Sequence, residues 1–196
     1  MSLVVTAIFQ FAYVVTCLPA AGAKARNGPK NALKAASRRK PGSSSKGAEG
    51  IVANLPVRTF TKAALLSLLL ALVVGTPVLL IMMILFGAPL TTHLSHTTLT
   101  AAHLALLAVM PLAYVHGVDA QRWREIASAM MPQDEVYGAT VGTLVGAWLG
   151  AVPIPLDWDR EWQKWPVTII TGAYIGFATG KLLGEFVFRG RVIEFD

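Results

Sequence analysis

Two runs of glycine at four-residue spacing constrain this chain more than any other feature. One run is Gly138, Gly142, Gly146 and Gly150; the other is Gly172, Gly176, Gly180 and Gly184. Both lie in strongly apolar sequence. In water, a glycine inside a helix costs roughly 0.5–1 kcal/mol against alanine, so four in register would undo a soluble helix. In lipid the argument reverses, because small residues at i and i+4 let two helix backbones approach closely. Each step of four residues overshoots a full turn by about 40°, so the stripe winds slowly round its helix and suits a right-handed crossing. The ladders predict two membrane helices that offer close-packing grooves to each other or to a partner. Glycine is commoner in membrane helices generally, but two uninterrupted sets of four outweigh that plain explanation.

Composition agrees with a membrane setting. Hydrophobic residues make up 54% of the 196 and charged residues 14%, against about 25% charged in a soluble domain. A span needs about 20 predominantly apolar residues. The candidates are approximately 3–23, 63–86, 97–115, 136–153 and 166–188, which predicts an all-α polytopic bundle of five transmembrane helices and one transmembrane domain over 1–196. Little sequence remains outside them to fold as an enzyme domain. The first stretch has a competing reading as a signal peptide, since Ala21-Gly22-Ala23 resembles a cleavage site. It lacks the basic residues that should precede such a signal, and its basic residues follow instead. Cys17, the only cysteine, cannot form an internal disulfide.

Charge is concentrated. Ten of the 17 Lys and Arg fall between Lys24 and Lys62, with Glu49 as the one acid. Rich in Gly, Ser, Pro and Lys, residues 24–62 read as a disordered loop. Nucleic acid is one partner for a basic patch, but between two spans an excess of Lys and Arg marks the cytoplasmic side. The reading is therefore topology, with anionic headgroups as neighbours and no nucleic acid. Counting outward, 87–96 is lumenal, 116–135 cytoplasmic, 153–165 lumenal, and the tail with Arg189 and Arg191 cytoplasmic.

Between the ladders runs PIPLDWDREWQKWP. Pro153 and Pro155 stop the preceding helix, and Trp158, Trp162 and Trp165 suit a membrane interface. Asp157 and Asp159 form an Asp-x-Asp pair that could hold a divalent cation, but two carboxylates fill too few positions. An interfacial turn is the better reading, with no metal and no cofactor. His93 and His96 border a threonine-rich turn, and His103 lies inside a span, where a bond to a neighbouring helix would explain it. Lys181, near the end of the last span, can snorkel. No His-Glu-x-x-His, Gly-x-Ser-x-Gly or P-loop occurs.

The run GAWLGAVPIPLDWDREWQKWP, Gly146 to Pro166, closely resembles the hallmark of the PIG-F family. These are membrane subunits of glycosylphosphatidylinositol (GPI) anchor biosynthesis in the endoplasmic reticulum. FGAPL, Phe86 to Leu90, resembles a second family motif at the end of a span, and the basic loop resembles those of fungal members. The resemblance covers about Leu3 to Phe188. It implies a multi-pass protein that performs no catalysis and stabilises large ethanolamine phosphate transferases, whose catalytic domains face the lumen. It also marks Gly87, Ala88, Pro89, Leu90, Trp148, Pro153, Pro155, Asp157, Trp158, Asp159, Trp162, Trp165 and Pro166 as motif residues for the partner interface. Direct contact with the GPI precursor lipid is left open. Family members read as six spans, which makes Leu3–Ala23 the counterpart of the second and leaves the first without one here. Two other classes are a membrane-embedded transferase using Asp157 and Asp159, and a small lipid transporter. A transporter should show charged or broken helices at mid-membrane, and the ladders surround no buried charge.

Overall fold

The computed structural model describes residues 2–21, 57–89, 91–128, 130, 134–156 and 160–188. Among these the structure is helical, with no strand. The first helix, α1, spans Leu3–Cys17. The uncharged run continues to Ala23, but Pro19 forces the residue before it into extended backbone, and Leu18 stands at φ −105°, ψ 145°. The chain then turns back onto the bundle, where the Ala21 amide donates to the Tyr114 carbonyl at 2.8 Å.

The next two rods share one irregularity. The helix α2 (Val57–Leu70) passes through a widened turn at Ala71–Gly75 into α3 (Thr76–Leu85). Likewise α4 (Leu94–Leu104) passes through Ala105–Val109 into α5 (Met110–His116). Pro77 and Pro111 are the cause. Proline has no N–H, and its ring collides with the carbonyl four residues back. The helix widens one turn to make room, so Thr76 N–H reaches the Ala71 carbonyl and Met110 N–H the Ala105 carbonyl. The two wide turns face each other: a methyl on Gly75 would sit 3.2 Å from Val109 Cγ2 and 3.3 Å from Ala105 Cβ. Residues 57–62, expected in the basic loop, form the first turns of α2, whose start follows Pro56, a residue suited to a helix N-terminus. The rest of that loop lies outside the described residues.

The short α6 (Ala120–Ala127) starts at Asp119, whose carboxylate accepts from the Gln121 amide at 3.3 Å. It buries Ile126, exposes Arg122 and Arg124, and is pinned by Trp123 Nε1 donating to the Gly117 carbonyl at 2.9 Å. Asp134 caps α7 (Glu135–Ala151) by accepting from the Tyr137 amide at 2.7 Å. The last helix, α8, is Val167–Phe186.

Among the described residues three rods, Phe60–Leu85, Leu94–His116 and Val167–Phe186, are long and apolar enough to cross a membrane, and α1 is a shorter apolar helix. Of the five stretches expected to span, three reach that length. The 17 residues of α7 are limited by the Asp134 cap and the following Pro153. The α4–α5 rod is the centre of the bundle: Ala101–Ala108 and Met110–Tyr114 are buried. The α2–α3 rod lies outside it and exposes Leu66, Val73, Ile81 and Leu85, as a lipid-facing helix does. Thr140 Oγ1 donates across to the Ala108 carbonyl in the wide turn at 3.1 Å, an interhelical bond of the kind lipid favours.

Candidate functional site

The two glycine ladders lie face to face in an antiparallel crossing of α7 and α8. A methyl on Gly138 would meet the Gly180 carbonyl and lie 2.9 Å from Gly184 Cα. One on Gly142 would fall on the Gly176 carbonyl and 2.8 Å from Gly180 Cα, and one on Gly146 on the Gly172 carbonyl and 2.9 Å from Gly176 Cα. At the loop end, Gly150 opposes Thr168 and Ile169; at the other end, Gly184 opposes Asp134 and Glu135. No side chain larger than hydrogen fits at these eight positions without separating the helices. On the flank of the seam runs an apolar groove of about 990 Å³, walled by Val141, Val145 and Leu149 on one side and Ile175 and Leu183 on the other.

The opposite face of α8 holds α1. Thr6 Oγ1 and the Tyr174 hydroxyl are 2.6 Å apart, Tyr13 meets Phe177 edge-on at 6.2 Å, and Lys181 Nζ lies 4.4 Å from the centre of the Tyr13 ring. Contacts that rise together in both helices make α1 and α8 parallel. Lys181 therefore rests its charge on an aromatic face.

The loop joining the seam's two helices is held by a residue that sequence reasoning passed over. Gln163 is buried, and its amide donates to the carbonyls of Pro153 and Leu156, both at 2.8 Å. Its Oε1 accepts from the Arg160 amide at 3.1 Å. Both carbonyls lie in the turns that follow Ala151, the last residue of α7, and Gln163 ties those turns together. No periodicity marks such a residue; the only signal was a polar side chain among tryptophans. Trp165 and Pro166 are partly buried at the head of α8, Pro155 is exposed, and Trp148 and Trp162 expose 62% and 47% of their surface. Asp157, Trp158 and Asp159 lie outside the described residues.

The FGAPL motif is a helix stop. Gly87 has φ +95°; its amide donates to Ile84 and the Ala88 amide to Met83, at 3.0 and 2.9 Å. This left-handed cap satisfies the last carbonyls of α3. The Pro89 carbonyl then accepts from Thr97 Oγ1 at 2.9 Å, tying the turn to α4. Leu90 lies outside the described residues.

The histidines do not converge. His93 and His96 are exposed neighbours 5.8 Å apart, and His116 Nε2 stands 3.7 Å from Asp134. Among the described residues His103 bonds no neighbouring helix: its Nδ1 donates to the Leu99 carbonyl of its own helix at 2.8 Å, an acceptor one turn back. Among the described residues, no three His, Cys, Asp or Glu side chains are placed to hold a metal ion.

These features define a polytopic helical membrane protein organised around a close-packed glycine seam and a loop clasped by Gln163. The chain belongs to the GPI biosynthesis protein family Pig-F, whose family model matches residues 1–185. It is similar to glycosylphosphatidylinositol anchor biosynthesis protein 11 of Neurospora crassa, with 50% identity over 97% of this chain and 65% of that one. The Aspergillus fumigatus protein of the same name is 56% identical over 67% of this chain and 45% of its own length. A human relative, named GPI ethanolamine phosphate transferase, stabilizing subunit, is 34% identical over 53% of this chain and 49% of its own. The chain thus spans about half to two thirds of these relatives. No solved structure matches it.

Proposed function

We propose that this chain is a non-catalytic membrane subunit of GPI-anchor biosynthesis that stabilises an ethanolamine phosphate transferase adding phosphoethanolamine to GPI mannose. The family membership and the name of the human relative support that reading. The observation that carries it in the structure is the glycine seam, which packs α7 and α8 backbone to backbone. A rigid apolar surface is what a scaffold needs to hold a partner's helices at low conformational cost. The surface offered to the partner is the outward-facing pair of Trp148, near the end of α7, and Trp162 in the loop that follows.

The protein sits in the endoplasmic reticulum membrane with its basic loop and C-terminus in the cytoplasm. The parallel course of α1 and α8 is consistent with this, since alternating crossings would send both towards the cytoplasm. Affinity purification of the chain in mild detergent should bring down a GPI ethanolamine phosphate transferase. Transfer of phosphoethanolamine by this chain purified free of any transferase would overturn the assignment in favour of an enzyme.

A further inference from the structure

His103 is 5% exposed in the middle of the Leu94–His116 rod, and one contact sets its bonding state. A carbonyl only accepts, so the 2.8 Å contact with Leu99 places a proton on Nδ1. In the neutral ring Nε2 is then a bare acceptor. That nitrogen is buried and has no hydrogen-bond partner among the described residues. On α1, the side-chain amide nitrogen of Gln10, 6% exposed, is a buried donor in the same condition.

α1, α4 and α8 meet around Tyr174. One turn before Gln10, Thr6 bonds the Tyr174 hydroxyl at 2.6 Å, and the Tyr174 ring meets His103 edge-on at 6.5 Å. The Tyr174 hydroxyl, engaged with Thr6, anchors α1 beside the histidine. α4 therefore brings one unused acceptor, and α1 one unused donor, to the side of the bundle where Thr6 and Tyr174 meet. Buried polar groups in folded proteins find a partner, often an internal water, and lipid offers none.

We propose that Gln10 and His103 bound an internal polar site that holds one water molecule, which donates to His103 Nε2 and accepts from the Gln10 amide, and that this site locks α1 into the bundle. The chemistry needed is a small neutral molecule that donates and accepts at once. An ammonium or metal cation would leave the Gln10 N–H opposed by positive charge, and an anion would meet a bare lone pair on His103.

The test is a double-mutant cycle on the full chain in mild detergent, read as thermal midpoint, with Gln10→Leu, His103→Phe and both together. Each single change strands the water's other partner and should lower the midpoint by several degrees. The double variant should be little worse than the poorer single one, because both needs vanish together. Additive losses would overturn the shared site. On the unmutated chain, which keeps the question open if a variant fails to fold, 15N NMR of the histidine should show Nε2 as a hydrogen-bonded acceptor, with a water cross-peak to the Gln10 amide protons. A free Nε2, or a bonded one with no water cross-peak, would refute the proposal.

Discussion

Gly142 and Gly176 pack so closely that a methyl on either would fall on the other's carbonyl oxygen. The contact is reciprocal, so neither helix can yield without opening the crossing. Leucine at Gly146 or Gly176 should leave membrane insertion intact, because leucine is apolar, but should separate α7 from α8. Overpacking of this kind costs about 1–3 kcal/mol or more. Gly146→Leu and Gly176→Leu should therefore insert normally yet aggregate or lose their partner on size-exclusion chromatography. Val78→Leu, at an outward-facing position 56% exposed, should behave as the unmodified chain. Normal co-purification of both glycine variants would show that the ladders are composition alone.

Glycine is required at Gly87 for a different reason. Nothing lies within 4 Å of a methyl placed there, but φ is +95°. Gly87→Ala should cost about 1 kcal/mol through backbone conformation only, lowering the thermal midpoint by a few degrees while leaving the oligomeric profile unchanged. A loss as large as that of Gly142→Ala would mean that the turn contacts something further.

Gln163 predicts a loop phenotype. Gln163→Glu keeps the shape but removes the donor shared by Pro153 and Leu156. The Leu156 carbonyl would lose the Gln163 donor, the Pro153 carbonyl would keep only the Leu156 amide at 3.2 Å, and both would face a carboxylate, a penalty of about 1–3 kcal/mol. Limited proteolysis should then cut between Pro153 and Trp165 much faster than in the parent chain, with the helices left intact. Unchanged cleavage would show that the loop is held by other contacts.

What the sequence makes legible here depends on how local the cause is. The ladders are visible because four-residue spacing is a property of one helix, and Pro153 and Pro155 stop α7 by local sterics. Whether the ladders meet each other or a partner is a tertiary matter, and the spacing left both open. The wide turns before Pro77 and Pro111 follow from proline chemistry, yet their mutual packing through Gly75 requires two helices. The end of α1 at Cys17 was obscured by apolar sequence that continues past Pro19. Gln163 was invisible because its partners lie seven and ten residues away in a loop without periodicity. His103 was expected to reach a neighbouring helix, but its own Leu99 carbonyl lies closer.

Topology has its own check. With ten basic residues between Lys24 and Lys62, the loop should remain on the cytoplasmic side. A glycosylation acceptor inserted near Ser44 should stay unmodified, and one in an extended loop between Pro153 and Trp165 should be modified. The reverse pattern would invert the whole assignment.

The most direct measurement compares how much transferase is present with how fast each molecule works. In membranes that lack this chain, and in membranes carrying it with Asp157→Asn and Asp159→Asn, the transferase should be quantified and its phosphoethanolamine transfer divided by the amount assembled. Stabilisation predicts a fall in transferase level without the chain, at most a partial fall with the aspartate variant, and near-normal turnover for every assembled complex that remains. A complex that assembles at full level yet loses all turnover would contradict the account, because the chemistry would then reside in this chain.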